Sequence, residues 1–90
     1  MNLNEKHMQI CKEMNKLHEE KNKRYNNSFS KTYQKYGLKS ACIRLEDKLQ
    51  RFINLALNET LDNDKQESIE DTLIDMANYA VMTLMEIRKK

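Results

Sequence analysis

The sequence predicts an all-α fold, a compact bundle of three long helices plus one short one, and three observations predict it. The 90 residues hold no proline and a single glycine, Gly37, so little in the chain is built to break a helix. Leu, Met, Lys, Glu and Gln are abundant, and all are good helix formers. Apolar residues recur at three- and four-residue spacing between Lys and Glu faces.

The first helix is expected over about residues 4–24, where Met8, Cys11, Met14 (or Ile10) and Leu17 recur at helical spacing. The patch Asn26-Asn27-Ser28 interrupts it. Asn27 or Ser28 caps a short second helix that ends at Gly37, the residue that takes a left-handed position without steric cost. Ser40 reads as the cap of a third helix, about 40–58, with Ile43, Leu45, Leu49, Phe52, Ile53 and Ala56 apolar. A polar connector, N-E-T-L-D-N-D-K-Q-E, follows. Ser68 with Asp71 resembles a capping box that opens the last helix, which runs to about Ile87.

A chain of this length makes one small domain whose core is marginal by itself, so self-association is expected. No run reaches the roughly 18 apolar residues of a membrane span, and the N-terminus lacks a signal-peptide core, which predicts a cytoplasmic protein. Cys11 and Cys42 form no C-x-x-C pair and read as reduced core residues. His7, Cys11 and His18 share a helical face, but His18 lies two turns beyond Cys11, too far for one ion, so no zinc site is assigned. The formal net charge of +2 is unevenly spread: residues 1–39 hold nine Lys or Arg against four Glu, and residues 59–75 hold seven acids against Lys65. A small net charge with so acidic a segment argues against nucleic acid as the partner.

The last helix carries the sharpest signal. From Thr72 to Met85 its one charge is Asp75 and its one side-chain amide is Asn78. An ionised carboxylate on a helix apolar nearly all round needs a cation, a metal or a ligand. Asp71, Asp75, Asn78 and Met82 share one stripe at i, i+4, i+7 and i+11, and Arg44, Asp47, Lys48 and Arg51 share another on the third helix. Antiparallel packing of the two helices brings the stripes together, either as a ladder of salt bridges or as a site. In a site, Asp47, Asp71 and Asp75 gather a hard cation such as Mg²⁺, and Arg44, Lys48 and Arg51 meet phosphate oxygens. Tyr25, Phe29, Tyr33 and Tyr36 make an aromatic stripe beside Asn26 and Asn27. Such a stripe is either core or a platform on which a nucleobase stacks.

K-N-K-R-Y-N-N-S-F (Lys21 to Phe29), Gly37, R-L-E-D-K-L-Q-R (Arg44 to Arg51) and E-S-I-E-D-T-L-I-D-M-A-N-Y-A (Glu67 to Ala80), in this order, resemble the first type of nucleotide modification associated domain. That family comprises small phage and bacterial proteins similar to MazG and dimeric dUTPase-like all-α pyrophosphatases. The resemblance implies an oligomeric, phage-encoded nucleotide-handling protein acting in the cytoplasm of an infected host, with a pocket between helices. It places Asp47, Lys48, Asp71, Asp75, Asn78 and Tyr79 at the polar centre. Two departures stand out. Where the hydrolytic relatives carry E-x-x-E and E-x-x-D, this chain has Arg44 with Asp47 and Thr72 with Asp75. Where the family has D-Y-G, it has Arg24-Tyr25-Asn26.

These departures weaken metal-dependent hydrolysis more than anion binding. The expected function is therefore binding and sequestration of a nucleotide-type ligand, such as a host immune signal, without turnover and without a cofactor. The expected ligand-binding residues are Arg24, Tyr25, Asn26, Phe29, Tyr33, Arg44, Asp47, Lys48, Arg51, Asp75, Asn78 and Tyr79. The alternative is a Mg²⁺-dependent pyrophosphohydrolase with Asp47, Asp71 and Asp75 on the metal. A third reading is a helical interaction protein whose polar stripes are salt bridges.

Overall fold

Four helices account for nearly all of the computed structural model, which describes residues 1–57 and 63–89: α1 (Leu3–Tyr25), α2 (Ser28–Tyr36), α3 (Leu38–Ala56) and α4 (Asn63–Ile87). Among the described residues there is no strand, and no helix is long and apolar enough to cross a membrane.

The chain opens α1 with Asn2, whose side-chain oxygen accepts the Glu5 backbone N–H at 2.8 Å while its amide donates to the Glu5 carboxylate at 2.9 Å. This reciprocal cap satisfies one of the orphan donors of the first turn. Two successive asparagines end the helix. Asn26 (φ 51°) and Asn27 (φ 58°) both take left-handed backbone, and both their N–H groups turn back to the Asn22 carbonyl. Asparagine tolerates this region better than other residues with a side chain. Asn26 thus takes a left-handed conformation that a glycine would adopt without steric cost.

Asn27 does precede α2, but its side chain makes no capping hydrogen bond, because the position is itself left-handed rather than extended. Gly37 closes α2 with φ 74° and ψ −157°, and its N–H donates to the Tyr33 carbonyl at 2.6 Å. This is a glycine-only region of backbone space.

Two expected helix starts lie further upstream than their serines. α3 begins at Leu38, and Ser40 sits in its first turn with its hydroxyl donating to the Gly37 carbonyl at 2.8 Å. α4 begins at Asn63, so Ser68 is internal and its carbonyl accepts the Thr72 hydroxyl at 2.7 Å. A serine caps a helix only where the preceding residues leave it. Leu38-Lys39 and Asp64-Lys65-Gln66-Glu67 do not, since most of them are good helix formers. The first part of the expected connector, residues 58–62, lies outside the described residues.

α4 is the central element. Lys48 meets Asp75 and Arg51 meets Thr72, so α3 and α4 run antiparallel, as the two stripes anticipated. On another side, the Asn78 amide donates to the Met14 carbonyl of α1 at 3.1 Å. α2 is tied to the end of α4 by a polar clasp: the buried Ser30 hydroxyl donates to the buried Glu86 carboxylate, which also pairs with Lys89. Lys89 reaches the Ser30 oxygen as well, at 3.0 Å. Hydrogen bonds from Lys89 and Ser30 outweigh burial and hold the Glu86 carboxyl below its usual range.

The apolar interior is slight. Among the described residues Ala41 is the one buried hydrophobic residue, and no large side chain is fully buried. Of the two cysteines expected in a core, Cys11 is half-buried and Cys42 is exposed, because Cys42 stands on a flank of α3 that no other helix covers. Both are free thiols.

Candidate ligand-binding site

The spacing of α1 puts His18, Lys21, Asn22 and Tyr25 on one face, and the left-handed pair Asn26-Asn27 swings α2 back so that Ser28 and Phe29 stand opposite. α4 closes the floor with Asp75, Asn78, Tyr79 and Met82, and α3 adds Lys48. The recess is open on one side and holds about 280 Å³, just below the usual size of small-molecule sites. A second recess of about 440 Å³ lies on the other side of the same ion pairs, where Lys21, Lys48, Arg51, Asp71, Thr72 and Asp75 meet.

Between the two recesses sits Asp75. Its Oδ1 accepts Lys21 Nζ at 2.7 Å and its Oδ2 faces Lys48 Nζ at 3.2 Å. The requirement for a cation is thus met twice, from two different helices. Burial pushes the Asp75 carboxyl up, but the hydrogen bonds and charges of Lys21 and Lys48 outweigh it, and the group titrates below the usual carboxylate range. Arg51 is positioned beside them by Nε donating to Thr72 Oγ1 at 3.3 Å. The result is three cations, Lys21, Lys48 and Arg51, against Asp71 and Asp75 on one wall.

The aromatic stripe divides. Phe29 stacks on Tyr33 with ring centroids 6.4 Å apart and meets Tyr79 at 5.7 Å, forming an apolar wall to the first recess. Tyr25 is 56% exposed at the rim of the same recess. Tyr36 points away, with the Lys35 ammonium over its ring.

Of the residues expected from sequence, Tyr25, Phe29, Lys48, Asp75, Asn78 and Tyr79 come together in the first recess, and Arg51 and Asp71 in the second. Arg24, Asn26, Tyr33, Arg44 and Asp47 line neither. Asp47 is exposed, turned about 100° round the helix from Lys48. Arg44 and Arg24 are also exposed; Asn26 shapes the turn, and Tyr33 backs Phe29. Three residues not expected at the site line the first recess: Lys21, which opens the first resemblance motif, His18, weighed only for zinc, and Ser28, read as a possible helix cap. Lys21 and His18 lie four and seven residues before Tyr25, on its helical face, and that spacing was the available signal.

The donor set does not fit a metal. Both oxygens of Asp75 face ammonium groups, and among the described residues no three His, Cys, Asp or Glu side chains converge. What the arrangement offers instead is cations beside aromatic faces. That combination suits a ligand with an anionic end and a planar apolar end.

The fold and recess therefore define an all-α helical protein with a charged, aromatic-walled cleft between its helices. The chain belongs to the nucleotide modification associated domain 1 family, whose model matches residues 21–87. That span takes in both recesses' charged residues. No curated protein and no solved structure matches the chain.

Proposed function

We propose that this protein binds a nucleotide-type ligand in the cleft between α1, α2, α3 and α4 and holds it without turnover. The observation that carries the reading is the pairing of Asp75 with both Lys21 and Lys48 beside the Phe29–Tyr79 wall. A phosphate approaching Lys21, Lys48 and Arg51 finds charge-assisted donors, and a base finds aromatic surface one recess away. The family's association with nucleotide modification supports the ligand class. The resemblance to small phage proteins extends the reading to a role in sequestering a host immune signal.

Hydrolysis is the second reading, and one observation favours it: Asp71 and Asp75 line the same recess. Against it, Asp75 is already neutralised by lysines and Asp47 stands outside. One experiment separates the two. The protein is incubated with nucleoside triphosphates, cyclic dinucleotides and ADP-ribose-type signals plus Mg²⁺, bound and free fractions are separated, and the heat-released ligand is chromatographed. Intact ligand recovered from the protein supports sequestration. A monophosphate with pyrophosphate supports hydrolysis, and depletion of nothing in the panel rejects both. Asp75→Ala is expected to lose the bound ligand while helix content survives, because the variant removes the group that holds Lys21 and Lys48 together.

A further inference from the structure

A third recess, about 380 Å³, opens between α1 and α4 beside the cleft, with which it shares His18, Asn78 and Met82. The Asn78 amide bond to the Met14 carbonyl ties the two helices together at this level. No charged side chain lines the recess. Sulfur lines it instead: Cys11 and Met14 come from α1, Met82 and Met85 from α4. A methionine inside a core is a gap-filler. These residues are not interior, since Cys11, Met14 and Met82 are half-buried and Met85 is 50% exposed. They form a sulfur-rich wall on an open recess.

A nitrogen donor stands against the thiol. His7 lies one turn before Cys11, and its Nδ1 is 3.8 Å from Sγ. His7, Cys11 and Met14 follow at i, i+4 and i+7, on one face of α1. A methionine on a helix leans back toward the N-terminus, which favours the Met14 thioether over the turn that bears Cys11. The distance fits a bridging ion. With bonds of about 2.3 Å to sulfur and about 2.0 Å to nitrogen, the lengths of a d10 ion, a cation joining Sγ and Nδ1 across 3.8 Å subtends about 125° between them. That is close to a trigonal angle and leaves room for one more donor.

The donor types choose the ion. Among the described residues no three His, Cys, Asp or Glu side chains converge, so Mg²⁺ or Zn²⁺ finds no complete set here. A soft monovalent ion is satisfied by two or three donors, prefers thiolate and thioether, and needs no carboxylate. We propose that this recess binds a soft cation of the copper(I) type, held by Cys11 Sγ, His7 Nδ1 and the Met14 thioether, with Met82 and Met85 walling it from water. His18 lines the recess but lies two turns beyond Cys11 and is not in the set. Ligation through Nδ1 keeps the imidazole proton on Nε2, which the exposure of His7 leaves to water. As the S–Cu bond forms the S–H bond breaks, the proton passes to solvent, and copper stays reduced throughout. Lys21, Asp75 and Lys48 lie outside this recess, so the ion leaves the charged centre of the cleft free.

The test uses copper(I) alone, with neither nucleotide nor oxygen present. The full chain is titrated into the coloured copper(I) complex of bicinchoninate, and loss of colour measures the metal transferred. One copper per chain should pass to wild type and equally to Cys42→Ser, which lacks only the exposed thiol. Cys11→Ser, His7→Leu and Met14→Leu should each bind about tenfold more weakly or worse, with helix content by circular dichroism unchanged. His7→Leu alters an exposed side chain and Met14→Leu keeps the volume, so both fold even if Cys11→Ser does not. Three results overturn the proposal: no copper leaves the chelator, Cys42→Ser weakens binding as much as Cys11→Ser, or His7→Leu or Met14→Leu binds as tightly as wild type, which leaves adventitious binding to a lone thiol.

Discussion

Replacing Asp75 by asparagine keeps the shape of the side chain and removes its charge, so the change isolates the two lysine contacts. The structure sets the scale. A hydrogen bond to a charged group contributes about 1.5–3 kcal/mol when shielded from water, and an exposed ion pair contributes about 0–1 kcal/mol. The Asp75 side chain is 20% exposed, and Lys21 and Lys48 are 42% and 28% exposed, so each contact belongs near the middle, about 0.5–1 kcal/mol after solvent screening. Losing both, and leaving two ammonium groups to repel across a neutral amide, predicts a loss of about 1–2 kcal/mol at neutral pH. For a chain of this size that lowers the melting temperature by roughly 5–15 °C. Thermal unfolding followed by circular dichroism at 222 nm, at fixed protein concentration, measures it.

The pH dependence adds a second check. Asp75 titrates lower in the folded chain than in the unfolded one. Its contribution is therefore fully present above the unfolded value, about 3.9, and is lost as pH falls through the depressed folded value. The gap between wild type and Asp75→Asn should narrow below about pH 4 and close in stronger acid. A variant that melts within 1 °C of wild type at pH 7, or a gap that persists unchanged into acid, would refute the account of Asp75 as a carboxylate shared by two lysines.

Further outcomes follow from the same geometry. Phe29→Leu or Tyr25→Leu should weaken the cleft's ligand by about 1–3 kcal/mol if a base stacks there, measured by calorimetry, and Asp47→Asn should leave that affinity within twofold because Asp47 is outside both recesses. Gly37→Ala meets open space around its Cβ but a backbone at φ 74°, so it should cost about 1–3 kcal/mol through strain alone, read by urea titration. Ser30→Ala leaves the buried Glu86 carboxylate short of one donor and should cost about 1–3 kcal/mol, with proteolysis first appearing around α2.

The helices were legible in the sequence because what makes a helix is local: no proline, one glycine, and apolar residues at helical spacing. The breaks at Asn26-Asn27 and Gly37 were legible for the same reason, since positive φ has a short list of residues that tolerate it. Asp75 announced that it needed a cation, a metal or a ligand, because a charge on an apolar helix carries a solvation cost whatever the fold. Which cation answered was a different matter. Lys21 lies 54 residues away on α1, and its arrival depends on the phase of α1 against α4, a property of neither helix alone. Asp47 and Lys48 show the converse. They are neighbours in sequence and equally plausible as site residues, yet a rotation of about 100° sends one into the cleft and the other into solvent. The starts of α3 and α4 were misplaced because a serine signals a cap only if the preceding residues abandon the helix. The tie of Ser30 to Glu86 and Lys89 left no local trace, since it joins residues more than fifty positions apart. The sequence by itself determined the helices, the two main breaks and the existence of a charge in need of a partner, all consequences of near-neighbour sterics and solvation. Tertiary structure alone decided which side chains meet in the cleft and which are left to solvent, because those depend on how helices are rotated against one another.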